Sequence, residues 1–334
     1  MRKVVLTGLP GVTQDVIEKF KENLKNEYAN AEVVYIAEDE IPDDEFIAKC
    51  GDAEIVLSWV QQMTAKTYEQ LNLKAFCAPS IGFNAANIEE ATKHEVLVTN
   101  CGDYCAEEVA VHTVMLMLNM ARKAYAFVED VKNGNWRLSP AGDLKRFSES
   151  TVGLVGFGNI PKRVAEMLSG FGAKVLSYDP FVEENTMKGY NVAKVDLDTL
   201  IRESDYISLH TPLLPATEKM ICKESIDKMK DHVFIVNTAR GGLVNYEHLY
   251  QALVSGKVQA AGLDVLENEP LQEIDYKIIG LKNTIVTPHS AFISNESEDS
   301  LWEISAKAVG DILNGRLPEN VKNQQVVEKL RWIK

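Results

Sequence analysis

Apolar positions along the chain follow two alternating spacings. Short β-rich runs at residues 4–6, 33–36, 55–58, 75–79 and 96–100 are separated by helical or turn segments, the first of which carries Val16, Ile17, Phe20 and Leu24 at helical spacing. A strand buried on both faces reads as a short continuous apolar run, and a helix covering it repeats with the helical period. The first hundred residues therefore predict one doubly wound unit, a parallel sheet covered by helices.

A single long helix is predicted over 106–132, ended by Asn133-Gly134 and well placed to link two domains. After a polar loop at 139–150 a second series begins. Its strands are read from TVGLVGFG, KVLSYDP, YISLHTP, HVFIVNTA, QAAGLDV and TIVTPH, with helices at about 161–169 and near 246–255. Each strand should end in a loop at the carboxyl edge, where such sheets bind ligands. A last helical pattern over 295–313 has Leu301, Ile304, Ala308 and Ile312 on one face. Its return to the first domain predicts residues 1–101 with 291–334 as one domain and 102–290 as the other. The fold class is α/β, with two doubly wound parallel sheets.

Length and composition change this picture little. A chain of 334 residues, 46% apolar and 25% charged, is globular and long enough for about two domains. The net charge of −14 disfavours nucleic acid or an anionic membrane as a partner, while leaving a small anion possible beside a local Arg. Five scattered cysteines lack metal-site spacing, so no metal is expected, and they read as reduced thiols of a cytoplasmic protein. Cys101 and Cys105 flank the expected hinge, where buried inert thiols are a better reading than redox partners. The N-terminus has too short an apolar run for a secretion signal, and the helix around 114–120 is interrupted by polar residues.

Gly156, Phe157, Gly158, Asn159 and Ile160 form a Gly-x-Gly turn between a strand and a helix. The first glycine permits the tight turn and the second lets backbone approach a pyrophosphate. Pro161 stands where a third glycine is usual, which is acceptable in a first helical turn but bulkier against the strand. Asp179, at the end of the next strand and 21 residues beyond Gly158, would accept hydrogen bonds from ribose hydroxyls and repel a 2′-phosphate. Turn, strand and acid together predict NAD in preference to NADP. Gly8 and Gly11 lack this context and read as an ordinary loop.

Downstream, TARGGLV, LDVLENEP and TPHSAF supply Arg240, Glu269 and His289. An Arg fork can hold a 2-oxo carboxylate, and an imidazole beside an acid is kept charged and able to give a proton as hydride arrives. Taken singly, Arg240 reads equally as a surface residue capping a turn and His289 as a structural histidine. In order behind a dinucleotide turn they predict hydride transfer to a small 2-oxo acid.

Taken together, GLVGFGNI, SYDP, SLHTPLLPATEKMI, VNTARGGLV, GLDVLENEP and TPHSAF resemble the D-2-hydroxyacid dehydrogenase family in their order and over nearly the whole chain. The resemblance implies two Rossmann-like domains with an active-site cleft between them, a homodimer, and a D-2-hydroxy acid product. It implies substrate binding by Arg240, a Glu269–His289 pair with His289 as acid/base, a nicotinamide side lined by Asp264 and by His210, Thr211 and Pro212, and a cofactor floor at Thr238 and Ala239. Backbone at Ile81 and Gly82 would receive the substrate carboxylate, although the loop sequence SIGFNAAN departs from the family's usual form. Asn245 likewise replaces a common Asp, with little consequence expected since both cap helices. GDYCAEEVAVHTVMLML and RFSESTVGLVGFG are most similar to the branch containing the C-terminal-binding-protein corepressors and their bacterial dehydrogenase relatives.

The loop at 58–63 has no Arg or Lys before Lys66, which disfavours a phosphorylated substrate. Trp59 within it would cap a short substrate tail or simply pack in the core. Trp136 falls where relatives build a dimer arm, and the partner's 136–146 loop is expected to help close the cleft. The alternative to an enzyme is an NAD(H)-sensing corepressor-like interaction protein. The catalytic trio does not separate the two, but the lack of a basic targeting run favours the enzyme.

Overall fold

Strand β1 (Arg2–Thr7) shows why the first sheet has two faces. Val4 and Leu6 enter one apolar cluster while Val5 between them enters another, as strand alternation requires. In this computed structural model, which describes residues 1–139, 144–269 and 271–333, the chain divides into Met1–Tyr104 with Ser294–Lys334, and Cys105–Ile293.

In the first unit β1 is followed by α1 (Gln14–Glu27), β2 (Ala31–Tyr35), α2 (Asp43–Cys50), β3 (Ile55–Ser58), α3 (Ala65–Gln70), β4 (Ala75–Ala78), α4 (Ile88–Lys93) and β5 (Leu97–Asn100). All strand pairs are parallel, in the order β2-β1-β3-β4-β5. One face is covered by α1 and by the last helix, Asn295–Leu313, whose Leu301, Trp302, Val309 and Ile312 are buried with Phe20 and Leu24. Phe46, Tyr68 and Ala91 cover the other. Gly8 is more than an ordinary loop glycine. Its φ is +55°, and a Cβ there would lie 2.6 Å from Ser58 Oγ and 2.7 Å from the Gln61 amide nitrogen. It lets the loop after β1 close against the loop after β3, whose Trp59 and Val60 amides donate to the Gly8 carbonyl.

The predicted 106–132 helix is two helices, α5 (Ala106–Arg122) and α6 (Ala124–Lys132). Lys123 adopts φ +49°, and the Asn119 side chain accepts from the Tyr125 amide at 2.9 Å. An Asn side chain offering the backbone a local acceptor competes with the helix ladder, a break that apolar spacing does not register. The second sheet comprises β6 (Thr151–Val155), β7 (Lys174–Tyr178), β8 (Ala193–Lys194), β9 (Tyr206–Leu209), β10 (Val233–Asn237), β11 (Val258–Leu263) and β12 (Thr284–Val286). Its helices are α7 (Asn159–Ser169), α8 (Glu184–Lys188), α9 (Leu197–Glu203), α10 (Lys223–Lys228), α11 (Tyr246–Ser255) and α12 (Glu273–Ile279). The parallel order is β12-β11-β10-β9-β6-β7-β8, so the direction of winding reverses between β6 and β9. Loops leaving that pair of strands form the crevice in which doubly wound sheets bind ligands. No helix among the described residues is long and apolar enough to cross a membrane.

Candidate active site

The turn after β6 lies at this reversal. Gly156 has φ +99°, and a Cβ on it would stand 2.7 Å from the His210 carbonyl oxygen in the loop after β9. Over Gly158, which precedes α7, nothing lies within 4 Å of an added Cβ, so the approach to that helix N-terminus is open. Phe157 is fully buried with its ring 5.7 Å from that of Tyr190. Asn159 and Ile160 begin α7, and Pro161 is buried in its first turn without displacing the helix from α5. Asp179 ends β7, where one oxygen accepts from the Phe157 amide at 2.9 Å and the other from the Phe181 and Val182 amides at 2.8 and 3.2 Å. The acid is thus fastened to the Gly-rich turn itself. These residues fit a dinucleotide: a cradle closed to any side chain at Gly156, an open helix start, and a fixed carboxylate one strand away.

On the other side of the reversal, His210 pairs its Nε2 with Ser208 Oγ at 2.9 Å, and burial pushes the imidazole down to about 3, leaving it neutral at physiological pH. Pro212 accepts from the Thr217 hydroxyl at 2.6 Å and from Thr211 at 3.4 Å, which fixes the loop.

Arg240 follows β10, and Asn237 shapes its loop by accepting from the Ala239 amide at 3.0 Å and donating to the Arg240 carbonyl at 2.9 Å. The Arg240 guanidinium donates to the Ala239 carbonyl at 2.6 Å. His289 follows β12 with φ +51°, a conformation in which a non-glycine residue needs local support. Asp264 supplies it. This buried residue accepts the His289 amide on its carbonyl at 2.8 Å, and the Ser290 and Ala291 amides on its two carboxylate oxygens at 2.9 Å each. The Asp264 carboxylate therefore anchors the His289 loop.

The imidazole Nδ1 of His289 is 2.8 Å from Glu269 Oε2, and both side chains are about half exposed, 44% and 43%. A carboxylate can only accept, so Nδ1 carries the proton and Nε2 is the atom left to exchange one. Burial alone would raise the Glu269 carboxyl. The hydrogen bond and charge of His289, the Leu266 amide and the charge of Arg240 outweigh it, holding the group below the usual carboxylate range. Arg240, Glu269 and His289, apart in sequence, thus share one electrostatic site.

On the first unit, Trp59, Ile81 and Gly82 stand at the carboxyl edge of their own sheet. The Trp59 indole donates to the Pro79 carbonyl and packs 6.3 Å from the Trp302 ring, so much of this side chain serves the core. Asn100 donates to the Ile81 carbonyl at 2.7 Å and Ser80 to the Gly82 carbonyl at 2.6 Å, which sets the loop's shape. Cys101 and Cys105 are buried, and burial pushes the Cys101 thiol up to about 11 despite its contact with Ser305.

Sequence reasoning missed the supports. Gly241 is the tightest: a Cβ there would fall 1.7 Å from the Leu266 carbonyl oxygen, where the Arg240 loop crosses the chain leading to Glu269. Gly241→Ala is expected to destabilise the protein by more than about 3 kcal/mol, because backbone must yield on both sides. A thermal midpoint within error of wild type would contradict this. Tyr246 also acts from below, its hydroxyl donating to the Val265 carbonyl at 2.7 Å.

Residues 114–291 match the family described as D-isomer specific 2-hydroxyacid dehydrogenase, NAD binding domain. The chain is 39% identical over 272 residues to a hydroxypyruvate reductase of Thermotoga maritima, covering 80% of this chain and 88% of that one. It is 34% identical over 303 residues to a D-3-phosphoglycerate dehydrogenase of Methanocaldococcus jannaschii, covering 87% of this chain but 56% of that longer one. Among solved structures, a D-lactate dehydrogenase of Aquifex aeolicus complexed with NAD and lactic acid aligns with TM-score 0.84 and 28% identity over 98% of each chain. None of these relatives is a corepressor, and the matches establish the family without selecting a branch. With its dinucleotide turn, fixed Asp179 and paired His289 now in view, the chain belongs to the D-isomer specific 2-hydroxyacid dehydrogenases and is an NAD-dependent oxidoreductase of that family.

Proposed function

We propose that this chain reduces a small, unphosphorylated 2-oxo acid of about the size of hydroxypyruvate to the D-2-hydroxy acid. The His289–Glu269 pair at 2.8 Å is the observation that carries the reading. NADH, when bound, supplies the hydride. Arg240 holds the substrate carboxylate and polarises the adjacent carbonyl with its fork. His289 gives the proton on Nε2 to the carbonyl oxygen, while Glu269 holds Nδ1 and so orients the ring. Asp264 keeps the His289 backbone in place, and Ile81 and Gly82 receive the carboxylate on the substrate side.

The substrate class follows from the loop after β3. Gln61 is buried with its side chain tied to Ile41, and the first cation beyond it, Lys66, is paired with Asp44 at 2.6 Å. That segment offers a phosphate no fixed positive charge. Comparing kcat/KM for hydroxypyruvate, glyoxylate and pyruvate with that for phosphohydroxypyruvate tests this: the plain acids should be preferred, and preference for the phosphorylated acid would overturn the assignment.

Asp179 is the proposed determinant of NAD over NADP. Asp179→Ala should reduce the NADH/NADPH preference by at least about tenfold, the worth of one charge-assisted hydrogen bond. An unchanged ratio in a fluorescence titration would remove it from that role.

A homodimer is part of the same proposal. Val111, Met115, Val128 and Val131 on α5 and α6 are exposed, and Trp136 and Leu138 beyond them are 91% and 83% exposed. Such a run on one continuous stretch suits a covered face. Of the expected 136–146 arm, residues 140–143 lie outside the described residues.

A further inference from the structure

Helix α5 holds a polar pair within an otherwise largely apolar span. His112 and Thr113 are consecutive, and each fastens a different loop of the site. Thr113 Oγ1 donates to the Val109 carbonyl at 2.7 Å, so it accepts from Thr238 Oγ1 at 2.8 Å, in the loop that carries Arg240. His112 Nε2 is 2.9 Å from Thr287 Oγ1, two residues before His289.

Proton counting fixes the direction of this second contact. Thr287 has one hydroxyl proton, and its oxygen is 2.5 Å from Asp264 Oδ1, a carboxylate oxygen that already accepts the Ser290 amide. The hydroxyl therefore donates to Asp264 and must accept from His112, which places a proton on His112 Nε2. The result is a directed chain from His112 through Thr287 to the Asp264 carboxylate, which also accepts the Ser290 and Ala291 amides next to His289. Because His289 occupies a left-handed conformation, its place depends on those amides being held. Asp264, at 1% exposure, has no solvent to substitute for a lost partner.

We propose that His112 is a positioning residue for the proton donor: by donating through Thr287 to Asp264 it sets the backbone that carries His289, while Thr113 fixes the same helix to the Arg240 loop. The proposal rests on the role given to His289 above. Its consequence falls on turnover, since a sub-ångström displacement of a proton donor affects the chemical step more than binding.

Steady-state kinetics of the full chain with NADH and hydroxypyruvate test it. His112→Leu should lower kcat about tenfold with both KM values changed by less than about twofold. His112→Gln, whose amide can donate to Thr287, should recover most of the loss. Thr287→Val should match His112→Leu, and the double variant should be no worse than either, as one chain requires. Full turnover in His112→Leu, equal impairment by Leu and Gln, or independent multiplication of the His112 and Thr287 effects would each overturn the proposal. His289→Ala in the same series separates the two claims. If it is inactive while His112→Leu is normal, only the positioning role fails. If it keeps wild-type turnover, the role of His289 fails and this one with it.

Discussion

Replacing His289 with alanine is expected to lower kcat by about 10²- to 10⁴-fold while NADH binding is retained, the range for loss of a general acid. The binding half of this expectation comes from the fold. The Gly156 turn, Asp179 and the His210 loop are built around β6, β7 and β9, and pack on His210, Phe157 and Ser208 rather than on the His289 side chain. The chemical half comes from the hydrogen bond to Glu269, which assigns Nδ1 and leaves Nε2 for the substrate. Reduction consumes a proton, and in Glu269→Gln the ring keeps only a neutral amide as partner, so kcat should fall there as well. Glu269 is held below the usual carboxylate range, so the pair persists through neutral pH and is lost only as pH falls past the ordinary value and then through the depressed one. Steady-state profiles of the wild type and both variants check each part, and a fully active His289→Ala enzyme would contradict all of it.

Arg240→Lys should lower kcat/KM by about 10²-fold, with both kcat and KM affected. Charge is conserved in this variant, so the loss would measure geometry. A guanidinium can grip a carboxylate through two parallel hydrogen bonds and still be braced by its own backbone, as the 2.6 Å contact with the Ala239 carbonyl shows. An ammonium on a shorter stem offers a point charge without that fork. Arg240 also helps hold Glu269 in its ionised form, so a lysine placed differently would weaken that effect too. Near-normal kcat/KM would mean that charge alone suffices and that the fork does not orient the substrate.

The residues proposed to perform chemistry were easier to read in the sequence than those that hold them. Arg240, Glu269 and His289 each follow a strand whose apolar run is plain, and a parallel sheet brings the ends of its strands to one edge, so their convergence followed from topology. The last helix was legible over 295–313 because its apolar face repeats regularly. Asp264 was read toward the nicotinamide; in the fold its carboxylate turns inward to the 287–291 loop, a choice made by three donors brought there by tertiary packing. The sequence marks His112 only as one of the polar interruptions of an apolar helix, and nothing in its spacing or that of Thr113 names Thr287 or Thr238 as partners. Nothing in the sequence singles out Gly241, and only the crossing of two chain segments shows why a side chain is excluded. The break at Lys123 escaped notice because Asn119 has little effect on the apolar period yet supplies an acceptor that ends the helix.

Incubation of the purified protein with NADH and hydroxypyruvate, followed by chiral analysis of the product, tests the central claim most directly. The account predicts NADH oxidation matched mole for mole by D-glycerate. L-glycerate as the product, or NADH binding without oxidation for any 2-oxo acid offered, would contradict it.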